Sequence, residues 1–321
     1  GDGRAFSARH VAYYERRAAG GAGVLVTEEA AVHESDWPYE RSPLAAECGP
    51  GWRAIVDACR PHGSLVLAGL GHSGGQGTSH WSQLPMWSPS DEPEVNTREV
   101  PKIMEAADIA AVIEGFGSAT AVAIEAGCDG VEINAGQHSL VRQFLSGLTN
   151  RRDDEYGADR LLFAREVLAA VRAAAGDAVI GLRLSCDELA PWAGITPESA
   201  AEIARELAPL VDHLVVVKGA IFSVPDTRPD SHTIPGFNLD LTRFIRTGIE
   251  ASVPVVLQGS IVDVGQAEWA LGDERCELVE MTRAQIADAE LVTKAASDPA
   301  RIRPCLRCNQ LCQVRDNRNP V

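Results

Sequence analysis

The chain has 321 residues, 45% hydrophobic and 23% charged, with a formal net charge of −16 and a pI near 4.9. That balance is ordinary for a globular protein and excludes a basic nucleic-acid-binding face. No apolar run is read as approaching the ~20 residues of a membrane-spanning helix, and no signal peptide opens the chain. The eight cysteines do not follow a secreted disulfide framework, so a reducing cytoplasm is the expected compartment. The chain starts at Gly1 rather than Met, and its N-terminus is read as incomplete.

In chain order, Ser7 caps a helix running to Ala19, which Gly20-Gly21 closes. The first apolar strand covers 23–28. A helix at about 50–60 and a strand over 64–70 follow, and residues 71–77 read as a flexible glycine-rich loop. Residues 78–104, rich in Pro and Trp, form a long excursion of the kind that usually carries function. A stricter alternation comes next: helix 108–126, strand 130–134, helix 160–175, strand 179–184, a Thr196-capped helix to Leu207, and strand 213–217. It continues with helix 239–251, strand 254–258, helix 263–271, strand 277–281 and a last helix 284–296.

Seven short apolar strands, each followed by a helix, mean a parallel sheet covered on both faces. Eight such units close an α/β (β/α)8 TIM barrel, and the missing first strand is placed before residue 1. The competing doubly wound sheet would carry a glycine-rich phosphate turn after its first strand, and Val26-Thr27-Glu28-Glu29-Ala30 is not one.

In a barrel the reacting groups lie at the C-terminal strand ends. Those ends present Glu28 and Glu29, His72, Asn134 with Gln137 and His138, Arg183 with Ser185, Lys218 and Ser223, Gly259-Ser260, and Thr282-Arg283. A phosphate commonly sits at the last two ends, held by backbone N–H groups and a short helix. Gly259 would let the backbone approach, and Arg283 can bind an anion bidentately. Arg183, on a mid-barrel strand, could meet an anionic ring. The competing reading makes both arginines structural ion pairs.

Near the C-terminus, Cys305, Cys308 and Cys312 form a Cys-x2-Cys-x3-Cys run. Soft sulfur ligands suit zinc or an iron–sulfur cluster. Either needs a fourth ligand, and no further Cys follows, so the site is expected to be complete only in a longer protein. The other five cysteines read as small buried hydrophobes.

These stretches resemble the flavin barrel of the old yellow enzyme family, in the branch containing 2,4-dienoyl-CoA reductase and trimethylamine dehydrogenase. The resemblance rests on residues 9–14 with 20–28, Leu70-Gly71-His72-Ser73-Gly74, residues 126–133, residues 143–146 with 150–157, Arg183-Leu184-Ser185, Met281-Thr282-Arg283-Ala284 and the cysteine run. It implies FMN on a barrel of residues 1–300. It further implies a [4Fe-4S] segment starting at 301–321, and FAD and NAD(P)H domains beyond 321. Carried over, Arg183 should contact the isoalloxazine, Gly259, Ser260, Thr282 and Arg283 the phosphate, and Glu29 the ring through its backbone.

The departures are informative. Gly69 stands where the family usually has Gln, Gly75 and Ser260 where it has Arg, and Ser223 near a reductase His. The substrate-binding His pair and the Tyr proton donor become Asn134, Gln137 and Ser139. The expected activity is an NAD(P)H-dependent reduction of an enone or enoyl-CoA, with Asn134 and Gln137 as hydrogen-bond donors and His138 and His72 as candidate proton donors. An amine dehydrogenase or demethylase, with Trp81, Trp87 and Trp192 as a cation cage, and a zinc-ribbon interaction module on an inactive barrel are the alternatives. The expected partners are a small-molecule substrate and further copies of the chain, with no nucleic acid or membrane.

Overall fold

The computed structural model describes residues 3–310 and residue 312. Ten strands occur among them: β1 Val24–Val26, β2 Ala30–Ala31, β3 Leu65–Gly71, β4 Trp87–Ser88, β5 Lys102–Ile103, β6 Gly130–Ala135, β7 Val179–Ser185, β8 His213–Val217, β9 Val255–Leu257 and β10 Leu278–Val279. The helices are α1 Ala8–Ala19, α2 Ala45–Cys59, α3 Ala106–Glu125, α4 Leu140–Leu145, α5 Glu155–Ala158, α6 Leu162–Ala175, α7 Pro197–Leu207, α8 Val224–Thr227, α9 Leu239–Gly248, α10 Val264–Gly272, α11 Thr282–Ala287 and α12 Leu291–Ser297. The main sheet is wholly parallel and runs β1-β3-β6-β7-β8-β9-β10, with β2 also on β3. This curled sheet carries helices between successive strands. Strands β4 and β5 pair separately within the 78–104 excursion.

Alternation along each strand sorts side chains between the two faces. Val131, Ile133, Ile180, Leu182, Leu184, Leu214 and Val216 join the helices in one large apolar core. The opposite face holds a small Val215, Val217 and Val256 cluster and a chain of charges. Arg183 Nε donates to Glu132 Oε1 at 2.8 Å, its Nη2 donates to Glu280 Oε2 at 2.6 Å, and His213 Nε2 lies 3.5 Å from Glu132 Oε2. Glu132 is almost wholly buried. The two carboxylates overcome the burial penalty on Arg183 and hold its guanidinium well above its ordinary pKa.

Several expectations are corrected. Helix α2 starts at Ala45, not near 50, and accommodates Pro50 in its interior. The 71–77 segment is pinned rather than loose. Gly75 N donates to Gln143 Oε1 at 2.9 Å, Gln143 Nε2 donates to Ser73 O at 2.8 Å, and Ser73 N donates to Asp36 Oδ2 at 3.0 Å. The last predicted helix is two, because Asp288 leaves helical geometry and its carboxylate accepts from Lys294 Nζ and from the backbone N–H of Glu290 and Arg303. Helix α3, at 20 residues, is long and apolar enough to span a membrane by length and composition. Here it packs on α2, α6, β3 and β6 instead, burying Ile109, Val112, Phe116 and Ala123.

Helix α4 was not anticipated. Ser139 caps it by accepting from Val141 N at 3.1 Å. All six of its residues are buried, including Arg142, whose guanidinium pairs with the equally buried Glu188. Glu188 also accepts from Ser146 Oγ and from Ile195 N at 2.7 Å. Neutralising one member strands the other charge, so Glu188→Gln is predicted to cost about 3–5 kcal/mol in urea unfolding. The double variant Arg142→Met/Glu188→Leu is predicted to recover most of that loss.

Candidate active site

Strands β1 and β2 are one strand interrupted by a bulge. Val26 faces Leu67 and Ala30 faces Leu70, so four residue steps on one chain oppose three on the other. Bulges re-aim a side chain, commonly beside a functional site. This one delivers Glu29 to the barrel mouth. Gly71 makes room for it: a Cβ there would lie 2.3 Å from Glu29 Oε1. Asn134 Nδ2, at the end of β6, donates to Glu29 Oε2 at 2.5 Å, and Asn134 Oδ1 accepts from Gly136 N at 2.7 Å.

Glu29, Asn134, Gln137, His138 and Arg183 share the wall of a cavity of about 600 Å³ with Asp36 and Tyr39, among others. Burial, reinforced by the Asp36 charge, lifts the Glu29 carboxyl to about 7, against the opposing pull of the Asn134 hydrogen bond and Arg183. His138 moves the other way. Burial, with Arg228 and Arg142 nearby, lowers it to about 4, so its imidazole is neutral at pH 7 and protonates only below about 4.

A second cavity of about 220 Å³ adjoins the first through Thr227, Arg228 and Gln258, and Gly259, Ser260, Thr282, Arg283 and Cys312 line it. Gly259 and Ser260 both take positive φ, +154° and +57°. A Cβ on Gly259 would come within 2.7 Å of the Asn238 Cβ, so this turn admits only glycine. Arg283 Nη1 donates to Pro229 O at 2.8 Å and Asn309 Oδ1 at 2.7 Å, and its Nη2 donates to Ser260 Oγ. A cationic fork beside a glycine turn is the chemistry that suits a phosphate.

Other predicted site residues lie elsewhere. His72 is buried outside both cavity walls, with Nδ1 accepting from Gly74 N at 2.9 Å and Nε2 lying 3.0 Å from Ser35 Oγ. Gly69 lies in the sheet, where a Cβ would meet Thr27 O at 2.6 Å. Ser139 is committed to its cap, so it does not replace the Tyr donor it stands in for, and Ser223, near the reductase His position, is tied to the Ala220 backbone. Trp81, Trp87 and Trp192 do not gather: Trp87 stacks on His33, Trp81 meets His80, and Trp192 is 78% exposed. Arg152 chelates Asp154, and Arg151 pairs with Glu92.

Cys305 and Cys312 are half-buried and Cys308 is exposed. Among the described residues no three metal-ligating side chains converge on one centre, so the thiols suit a cluster in chemistry and spacing but not in arrangement. Part of the expected 301–321 cluster segment, residues 311 and 313–321, lies outside the described residues.

A parallel α/β barrel with an anion cradle at its last two strand ends, opening onto a polar cavity, defines a barrel that binds a phosphate-bearing cofactor. The chain belongs to the NADH:flavin oxidoreductase / NADH oxidase family, which matches residues 2–301. Relatives include a metal reductase of Desulforamulus reducens, 32% identical over 308 residues, covering 94% of this chain and 46% of that protein. A probable N-methylproline demethylase of Rhizobium meliloti is also 32% identical, over 317 residues, covering 94% of this chain and 46% of that protein. The structure of a 2-naphthoyl-CoA reductase complex superposes with a TM-score of 0.90 at 25% identity, covering 97% of this chain and 50% of that one. The old yellow enzyme homologue of Zymomonas mobilis, at 22% identity and a TM-score of 0.77, shares the fold. These relatives place the chain in the old yellow enzyme and trimethylamine dehydrogenase-like branch, and the barrel is of the TIM type. The chain spans about half the length of these curated relatives.

The two joined cavities and the Gly259–Arg283 cradle fit FMN, the flavin of this family. Arg283→Ala is predicted to weaken FMN binding about 10–100-fold, the worth of a lost charge-assisted hydrogen bond. Fluorescence titration of the flavin checks this.

Proposed function

We propose that this chain is the FMN-binding barrel of an oxidoreductase that reduces the C=C bond of an α,β-unsaturated carbonyl or enoyl thioester. The observation that carries the reading is the adjacency of Gln137 and His138 in the larger cavity's wall, beside Asn134 and Arg183. FMN, when bound, supplies the hydride. The Asn134 amide is committed to Glu29, while Gln137 Nε2 makes only a long 3.5 Å contact to Thr227 O. Gln137 and the neutral His138 ring are therefore the pair that would donate N–H groups to the substrate carbonyl oxygen and stabilise charge developing there. Arg183 edges the same cavity with its guanidinium paired to Glu132 and Glu280.

The reading includes the longer protein: a barrel over 1–300, a [4Fe-4S] cluster on Cys305, Cys308 and Cys312 that relays electrons, and FAD and NAD(P)H domains beyond 321. The cysteine spacing and the half-length match to relatives support it. Cys308→Ser is predicted to lower iron and acid-labile sulfide in the purified full-length protein to background. Zinc on these cysteines would instead leave a colourless metal site, the expectation for an interaction module.

A second reading, oxidation of a small amine, is favoured by the carboxylates Glu29, Asp36 and Glu94 in the cavity wall, which would attract a cation. Relatives whose names describe demethylation of N-methylproline and dehydrogenation of N,N-dimethylglycine and sarcosine support it. Anaerobic mixing of the full-length protein with each class separates the two. The expected result is that enones reoxidise the NAD(P)H-reduced flavin and leave as saturated ketones. Amines bleaching the oxidised flavin, with no enone reoxidising it, would overturn the leading reading.

A further inference from the structure

We infer that Glu29 is the proton donor for the carbon–carbon bond reduction, placed in the cavity by the bulge between β1 and β2. The inference rests on the proposed alkene reduction, and it fills the position left open by the loss of the Tyr donor. The candidates singled out from the sequence are accounted for. Ser139 is a helix cap, Ser223 is tied to the Ala220 backbone, and His72 has both ring nitrogens engaged away from the cavity. His138 lines the cavity but is neutral until about pH 4, so it donates a hydrogen bond and not a proton at neutrality.

Glu29 combines placement in the cavity wall with a carboxyl that keeps its proton near neutrality, whereas the Tyr39 hydroxyl in the same wall donates to Glu28 Oε1. One of its oxygens, Oε2, is fixed by Asn134, a residue of the same wall as Gln137 and His138. The charged groups that face it are Asp36 from the segment after β2, Glu132 from β6 and Arg183 from β7. Two carboxylates and burial against one arginine and one amide leave its carboxyl near 7, so about half is protonated at neutral pH. General acids work best with a pKa near the operating pH.

The step balances. The alkene π bond breaks, one carbon gains a hydride from the reduced flavin, and the other gains the Glu29 proton through a new C–H bond. Glu29 is left as a carboxylate that Asn134 stabilises, and solvent reaching the cavity reprotonates it. The donor must be protonated, so the rate of alkene reduction is full below about pH 7 and falls above it.

The test uses the full-length, flavin-loaded protein, pre-reduced and mixed with an enone across pH. Wild type should show a descending limb near 7. Glu29→Gln should lose about 10²-fold or more in the rate of substrate reduction, lose the limb, and keep KM within a few-fold. Asn134→Ala should move the limb to higher pH, because the amide it removes favours the carboxylate. Infrared difference titration without substrate should show a carboxylic-acid band with a midpoint near 7 in wild type and none in Glu29→Gln, which reads the group independently of turnover. If wild type reduces enones and Glu29→Gln keeps the rate or the limb, the inference fails and the proposed function stands. If wild type reduces no enone, both fall.

Discussion

The Arg183 ion network is the constraint around which the barrel mouth is built. A parallel sheet with helices on one face must also fill the opposite one, and here that face carries charge as well as valine. Arg183 is half-buried, and a guanidinium withdrawn from water without partners would be costly. Glu132 from the neighbouring strand and Glu280 from the far end of the sheet meet it at 2.8 and 2.6 Å. The contact ties the centre of the sheet to its last strand, next to the Thr282-Arg283 cradle. The same Arg183 edges the larger cavity, so the group that holds the interior together also sets the electrostatic floor of the site.

Around that floor, small local irregularities decide which side chains are free to act. A one-residue bulge turns Glu29 inward, and Gly71 gives its carboxyl the space to lie there. The segment after β3 looks mobile in composition yet is held by Gln143, His72 and Asp36. That bonding takes His72 out of the chemistry. The cap on α4 does the same to Ser139. Among the groups lining the cavity are Glu29, Asn134, Gln137 and His138. Amide and neutral imidazole donors sit beside a carboxyl whose surroundings hold it at the edge of ionisation.

The order of strands and helices was legible because buried parallel strands are short apolar runs and their helices carry caps such as Ser7 and Thr196. The strand-end position of Gly259-Ser260 and Thr282-Arg283 was legible for a related reason, and the structure brings them to one cavity wall. Helix boundaries were less so. Pro50 suggests a helix start, but packing carries α2 through it, and Asp288 breaks the final helix by hydrogen bonds to Lys294 and to residue 303 that no local pattern announces. Glu132 and Glu280 lie two or three positions from residues singled out in the sequence, on the alternation that Arg183 and Asn134 already define. Reading that period of two through the strands would have found the first.

The sequence by itself determined the fold class, which depends on periodicity, and the family, which its motifs resemble. Only the tertiary structure decided which candidate groups line the cavity and how they ionise. Ionisation and availability are set by neighbours distant in the chain: Asp36, Asn134 and Arg183 around Glu29, Ser35 and Gly74 around His72. The sequence places Glu29 only at a strand end; its carboxyl is lifted to about 7 because folding withdraws it from bulk water and brings the Asp36 carboxylate near it.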